Sequence, residues 1–164
     1  MKPVYPVLLF SIVIIACNQS NKKTKILLAR IDSLEKKLAA TYKPGFGEFM
    51  SGIQVHHAKL WFAGINNNWD LADFEIHEIM EALEDLQKFQ PERKEVASLS
   101  MLKPAIDSLN AAIQNKNPVQ FKSSYILLTN TCNNCHKAVN YSFNEVKIPE
   151  TPPFSNQVFE KKEK

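Results

Sequence analysis

Glycine is scarce in this chain, four residues in 164, and there are only nine prolines, which excludes collagenous and linker-rich architectures. An excess of charge of one sign is also lacking. Twenty Lys and Arg stand against seventeen Asp and Glu, a formal +3 spread too evenly for a nucleic-acid footprint, so nucleic acid is not an expected partner. No apolar run reaches the roughly 20 residues that a membrane-spanning helix needs. No stretch sustains period-two alternation between turn signals, so no sheet is expected. A Ser-His-Asp arrangement, a phosphate-binding glycine loop and a working pair of carboxylates are all missing, which argues against an enzyme. Cysteine is limited to Cys17, Cys132 and Cys135, an odd number that cannot pair internally and whose positions point to two separate jobs. What remains, 45% apolar and 23% charged residues, is the balance of one globular domain with appendages.

The N-terminus reads as an address. Lys2 provides a positive start, Val7 to Ala16 is an uncharged and nearly continuous apolar run, and a polar, basic stretch follows from Asn18 to Lys25. The ending Ile14-Ile15-Ala16-Cys17 resembles a bacterial lipoprotein signal peptide. The resemblance implies cleavage before Cys17, acylation of that cysteine, and anchoring through more than one acyl chain. Asn18, in place of the aspartate associated with inner-membrane retention, favours the outer membrane. The expected location is a periplasmic or cell-surface lipoprotein of a Gram-negative bacterium.

The mature chain reads as a series of helices. Leu27, Ile31, Leu34 and Leu38 step by four, three and four residues and draw a narrow apolar seam on a helix ending before Pro44-Gly45. That seam would dock on the main domain or form a short coiled coil, which leaves a dimer open. A second helix is expected over about 46–63, with Gly64 as its cap and Met50, Ile53, His57, Leu60 and Gly64 on one face. After Asn66-Asn67-Asn68, an apolar series through Leu71, Phe74, Ile79, Met80, Leu83, Leu86 and Phe89 predicts a long helix stopped by Pro91. Glu75, Glu78, Glu81, Glu84 and Asp85 load its other face with acid, a solvated surface or one that meets a basic redox partner. Residues 92–103 form a connection or a short separate helix, and the next helix begins at Pro104. Asn117-Pro118 starts the last one, which carries Phe121, Tyr125, Leu128 and Cys132 on a stripe. The expected fold class is all-α, an antiparallel four-helix bundle with an extra N-terminal helix. Its organisation would be a leader over 1–16, a polar tether over 17–25, an amphipathic helix over 26–43, the bundle over 44–140 and an extended tail over 141–164.

Cys132-Asn133-Asn134-Cys135-His136 is the C-x-x-C-H pattern of covalent c-type haem attachment. Residues three apart on a helix are neighbours on one face, so both thiols can reach the vinyl groups of a single porphyrin. The histidine that follows is then held for the iron. Two other readings compete. A structural zinc site would need a second pair of ligands, and a thioredoxin-like dithiol would need a βαβ context.

A haem motif near the end of the last of four helices, with Tyr125 and Leu128 before it, resembles the class II cytochromes c, the family of cytochrome c prime and its low-spin relatives. Class I cytochromes instead carry the motif near the N-terminus with a distal methionine after it. Here 28 residues follow His136, and none is methionine. The resemblance covers about residues 45 to 140. Thr129-Asn130-Thr131 departs from it by offering no basic residue before the motif, and the proline-containing tail extends beyond the usual end.

The resemblance implies one covalent haem c bound by Cys132, Cys135 and His136. It also directs the search for a sixth ligand to the start of the first bundle helix, which lies beside the end of the last. Met50 is the expected distal ligand. His57 is the alternative, on the same face but about 10 Å further along the axis at 1.5 Å per residue. His56, about 100° away, would lie at the surface. The leading expectation is a membrane-tethered electron carrier serving a redox partner protein. The alternative is a diatomic-gas binder or haem sensor with an open distal site. A third reading is a structural lipoprotein whose cysteines stay reduced or form a disulfide.

Overall fold

The computed structural model describes residues 22–38, 41 and 43–161, and among these the chain is all-helical, with no strand. The proposed leader, the first part of the tether and Cys17 lie outside the described residues. Two compact units divide the chain, one up to Lys43 and one from Pro44 onward. The first contains a helix over 22–38, α1, whose start at Lys22 takes in four residues expected to be tether. Lysine is a good helix former, so a basic first turn needs no apolar seam of its own. The seam residues themselves stand exposed, Leu27 at 58%, Ile31 at 50%, Leu34 at 63% and Leu38 at 72%.

The second unit contains α2 (Phe46–Ile65), α3 (Trp69–Phe89), a 3₁₀ helix (Lys94–Leu102), α4 (Lys103–Gln114) and α5 (Pro118–Ala138). Short loops make consecutive helices antiparallel neighbours. Asn68 caps α3 by accepting from the Leu71 amide, and Asn117 caps α5 by accepting from the amides of Val119 and Gln120. The 3₁₀ helix occupies the stretch expected as a connection and leads directly into α4, where Pro104 sits in the first turn without needing an N–H. Leu60, Ile76, Leu86, Leu109, Ile113, Phe121 and Tyr125 are fully enclosed in a single core.

α2 and α5 run antiparallel, because ascending positions on one meet descending positions on the other. Trp61 stacks on Phe121 and His57 stacks on Tyr125. The beginning of α2 therefore reaches the end of α5. Between the far ends of these helices lies Gly64, which is not the cap expected of it. The helix continues to Ile65, Asn66 caps it, and Asn67 takes the left-handed turn with φ 55°. Gly64 is instead a close-approach position, where a Cβ would fall on the ring of Phe121. Gly64→Ala should cost about 1–3 kcal/mol or more through overpacking, measured as a lowered urea midpoint at unchanged slope.

Three expectations are corrected. Phe74, placed on the apolar face of α3, is 51% exposed, because the buried positions Ala72, Glu75, Ile76, Ile79, Leu83 and Leu86 define a face about 150° away. Glu75 leaves the acidic surface entirely and is fully buried. Its Oε2 lies 2.7 Å from His56 Nδ1 and its Oε1 lies 2.8 Å from Lys59 Nζ, so the Lys59 ammonium and the His56 ring, both on α2, partner the buried carboxyl. His56 is accordingly half-buried at this contact, not free at the surface.

The tail does not stand away from the bundle. It returns along it, with Ile148 packed on the core and Phe159 buried against Phe62. Asn68 Nδ2 donates to the Phe159 carbonyl at 3.3 Å, which ties the tail to the loop between α2 and α3.

Candidate functional site

A cavity of about 290 Å³ opens where the start of α2 meets the end of α5. That volume is near the lower end of the range for cofactor and small-molecule sites. Met50 lines it from α2, and Cys132, Cys135 and His136 line it from α5. Ile53, Leu83, Leu99 and Leu102 supply apolar wall, and Glu95 and Arg93 stand at the polar side. The helical spacing explains the grouping on α5, since residues 132, 135 and 136 fall within one turn of one face. Antiparallel packing explains why Met50 joins them.

His136 is oriented by the segment that follows it. Its Nδ1 lies 2.6 Å from the Asn144 carbonyl oxygen. A carbonyl only accepts, so Nδ1 donates, which in the neutral imidazole leaves the lone pair on Nε2. This is the arrangement found in metal-ligating histidines, whose other nitrogen donates to a carbonyl or carboxylate. The segment is itself held in place. Asn140 takes φ 67° and turns the chain out of α5, and the Tyr141 amide donates to the His136 carbonyl at 2.7 Å. Asn133, inside the pentapeptide, then clamps Val146 with both ends of its amide, donating to the Val146 carbonyl and accepting from its N–H, each at 2.8 Å.

The thiols are free. Burial, reinforced by Cys135, pushes the Cys132 thiol up to about 12, and burial raises Cys135 as well. A dithiol redox centre needs the opposite shift, toward thiolate. Among the described residues no group of three or more His, Cys, Asp or Glu side chains could hold a metal ion, so no zinc tetrahedron is completed there. Haem makes no such demand, because the porphyrin supplies four ligands and the chain needs to supply only one or two.

His57, the alternative ligand, is not among the residues lining the cavity. It is buried one layer deeper, with Nε2 2.9 Å from Thr129 Oγ1 and Nδ1 3.0 Å from the Tyr125 hydroxyl, so both ring nitrogens are engaged inside the core. Burial lowers its pKa from 6.5 to about 4. The folded state therefore resists a proton that the unfolded chain accepts. The associated stability is complete above pH 6.5 and is lost as pH falls from 6.5 toward 4, by about 3 kcal/mol in all. Unfolding titrations at several pH values in that window should show this loss in the wild type and a flatter profile in His57→Gln. Equal slopes in the two proteins would contradict the assignment.

Residues missed in the sequence also line the cavity. Glu95 accepts from Arg93 Nη2 at 2.9 Å and Nε at 3.2 Å, and the Tyr141 hydroxyl donates to it at 3.4 Å. A hydrogen bond from its own backbone amide, with help from Arg93, holds its carboxyl below the usual range. The Arg93 guanidinium also lies 5.3 Å from the centre of the Phe46 ring. No periodicity marks these residues. Asn140 alone carried a local signal, an asparagine immediately beyond a helix end.

Comparison with protein-family models, curated proteins and solved structures found no match to this chain.

Proposed function

We propose that this protein is a membrane-tethered, mono-haem c-type cytochrome that carries electrons, with a bundle of cytochrome c prime type. The observation that carries the reading is the convergence of Cys132, Cys135, His136 and Met50 on one largely apolar cavity. Cys132 and Cys135 would hold the porphyrin by thioethers, His136 would bind the iron through its free Nε2, and Met50 offers a thioether from the facing helix. Haem bound there supplies a one-electron ferric–ferrous couple, and a methionine ligand raises its potential relative to a second histidine.

The chain's own contribution is orientation and exclusion of water. The Asn144 carbonyl orients His136, Asn133 holds the covering segment down, and Ile53, Leu83 and Leu99 present apolar surface that disfavours water. Among the described residues that line the cavity Arg93 is the one Lys or Arg, and it suits the carboxylates of a porphyrin. Export is required for such attachment, and the resemblance of residues 1–17 to a lipoprotein leader supports a periplasmic or cell-surface domain on a lipid anchor. A redox titration of the exported, purified protein followed in visible light tests the function. The expected result is one reversible one-electron transition between sharp low-spin spectra. A colourless protein would overturn the reading.

A further inference from the structure

α1 separates the anchor from the bundle, and its composition differs from the rest of the chain. Between residues 22 and 38 it carries six basic side chains, Lys22, Lys23, Lys25, Arg30, Lys36 and Lys37, against Asp32 and Glu35. Its net +4 exceeds the +3 of the whole chain, so the remaining residues together are slightly acidic. One acid is already engaged, Asp32 with Lys36 at 3.0 Å. The apolar seam on the same helix is exposed along its whole length, and Ile26 and Leu28 beside it are more than half exposed. A helix with an apolar stripe, low overall hydrophobicity and a basic polar face is the form that lies in a lipid interface. Seventeen residues with eight charges cannot cross a bilayer, and no helix among the described residues is long and apolar enough to do so.

We propose that α1 is an interfacial helix that lies on an anionic lipid surface, its seam of Leu27, Ile31, Leu34 and Leu38 in the acyl boundary and its lysines among the headgroups. The assignment to lipid, and not to a second copy, rests on two features. The first is charge, because two helices of net +4 repel one another whereas anionic headgroups attract each. The second is where the preceding chain ends, which rests on the proposed acylation of Cys17. Five residue steps separate Cys17 from Lys22, a reach of at most about 17 Å, so an anchored chain cannot carry the start of α1 far from the membrane. Lys23 extends the seam at that end, where its stem can lie along apolar surface while the ammonium reaches a phosphate. Laid flat, the helix is about 25 Å long and would hold the chain at the surface by a second contact besides the acyl chains.

The test separates helix from anchor. The mature chain carrying Cys17→Ser, exported behind a non-lipoprotein leader, has neither acyl group nor apolar leader. It is floated with vesicles of phosphatidylcholine alone or with about 30% phosphatidylglycerol. Binding should be at least about tenfold stronger to the anionic vesicles and should fall about tenfold at high salt. Ile31→Glu with Leu34→Glu should remove about tenfold or more. Lys22→Gln, Lys23→Gln and Lys25→Gln together keep the helix formers and should lower anionic binding to the same degree. No preference for anionic vesicles would overturn the proposal, as would a dimer in sedimentation that Ile31→Glu with Leu34→Glu dissolves. Incorporation of labelled fatty acid into the unmodified precursor is scored separately. Its absence would remove the anchor and leave a vesicle-binding helix standing.

Discussion

Replacing Cys132 and Cys135 with alanine should give a protein that carries no haem through a denaturing gel, a complete loss. Coordination by histidine or methionine does not survive denaturation, whereas a thioether does, so the stain reports the two sulfurs alone. The bundle itself should persist. Cys132 is partly buried and Cys135 buried, both side chains are small, and the Cys135 hydrogen bond is weak, 3.7 Å from its Sγ to the Ser98 carbonyl. Losing both should cost roughly 1 kcal/mol each, which helicity and a urea titration would confirm. A stain that persists in the double variant would remove the attachment site. A wild type with no stain and two reactive thiols would establish the structural lipoprotein instead. A wild type that binds one zinc per chain would require ligands beyond the cluster-free set of described residues.

How much of this was legible in the sequence depends on whether the signal was local. Asn117-Pro118 is a cap followed by a residue with φ already set, and the helix begins there. The grouping of Cys132, Cys135 and His136 on one cavity is likewise local, since it follows from their spacing along a single helix. The meeting of Met50 with Cys132 follows from helix direction alone, since in an antiparallel bundle the start of the first helix meets the end of the last. Glu75 shows the limit. Its neighbours Glu78, Glu81 and Glu84 made it look like one of a solvated row, and nothing on α3 announces that His56 and Lys59 of α2 face it. Gly64 misled in the same way, because a glycine near a helix end reads as a cap unless the ring that displaces its Cβ, from a residue 57 positions later, is known. The 3₁₀ helix and the returning tail have no period to detect, although they bring Glu95, Leu99 and Asn144 to the cavity.

Met50→Ala should convert a low-spin ferric protein into a high-spin one that binds carbon monoxide readily once reduced. Met50 is the only methionine lining the cavity among the described residues, and it sits on the helix facing the one that carries His136. If its thioether is the sixth ligand, the wild type shows the weak long-wavelength band of sulfur-to-iron charge transfer, and truncation to alanine removes both the band and the low-spin state. The bundle should lose roughly 2–3 kcal/mol at a partly buried methionine, so the change in spin state can be read on folded protein. His57→Ala supplies the contrast. It should leave the spectrum as it is and reduce stability, because His57 is joined to Tyr125 and Thr129 and does not line the cavity. A spectrum altered by His57→Ala and indifferent to Met50→Ala would require two histidines on the iron and a lower potential. A wild type already high-spin and quick to take up carbon monoxide would leave Met50 as cavity wall. The same fold would then serve a diatomic gas, with Ile53, Leu83 and Leu99 around Met50 forming the apolar distal space such a ligand enters.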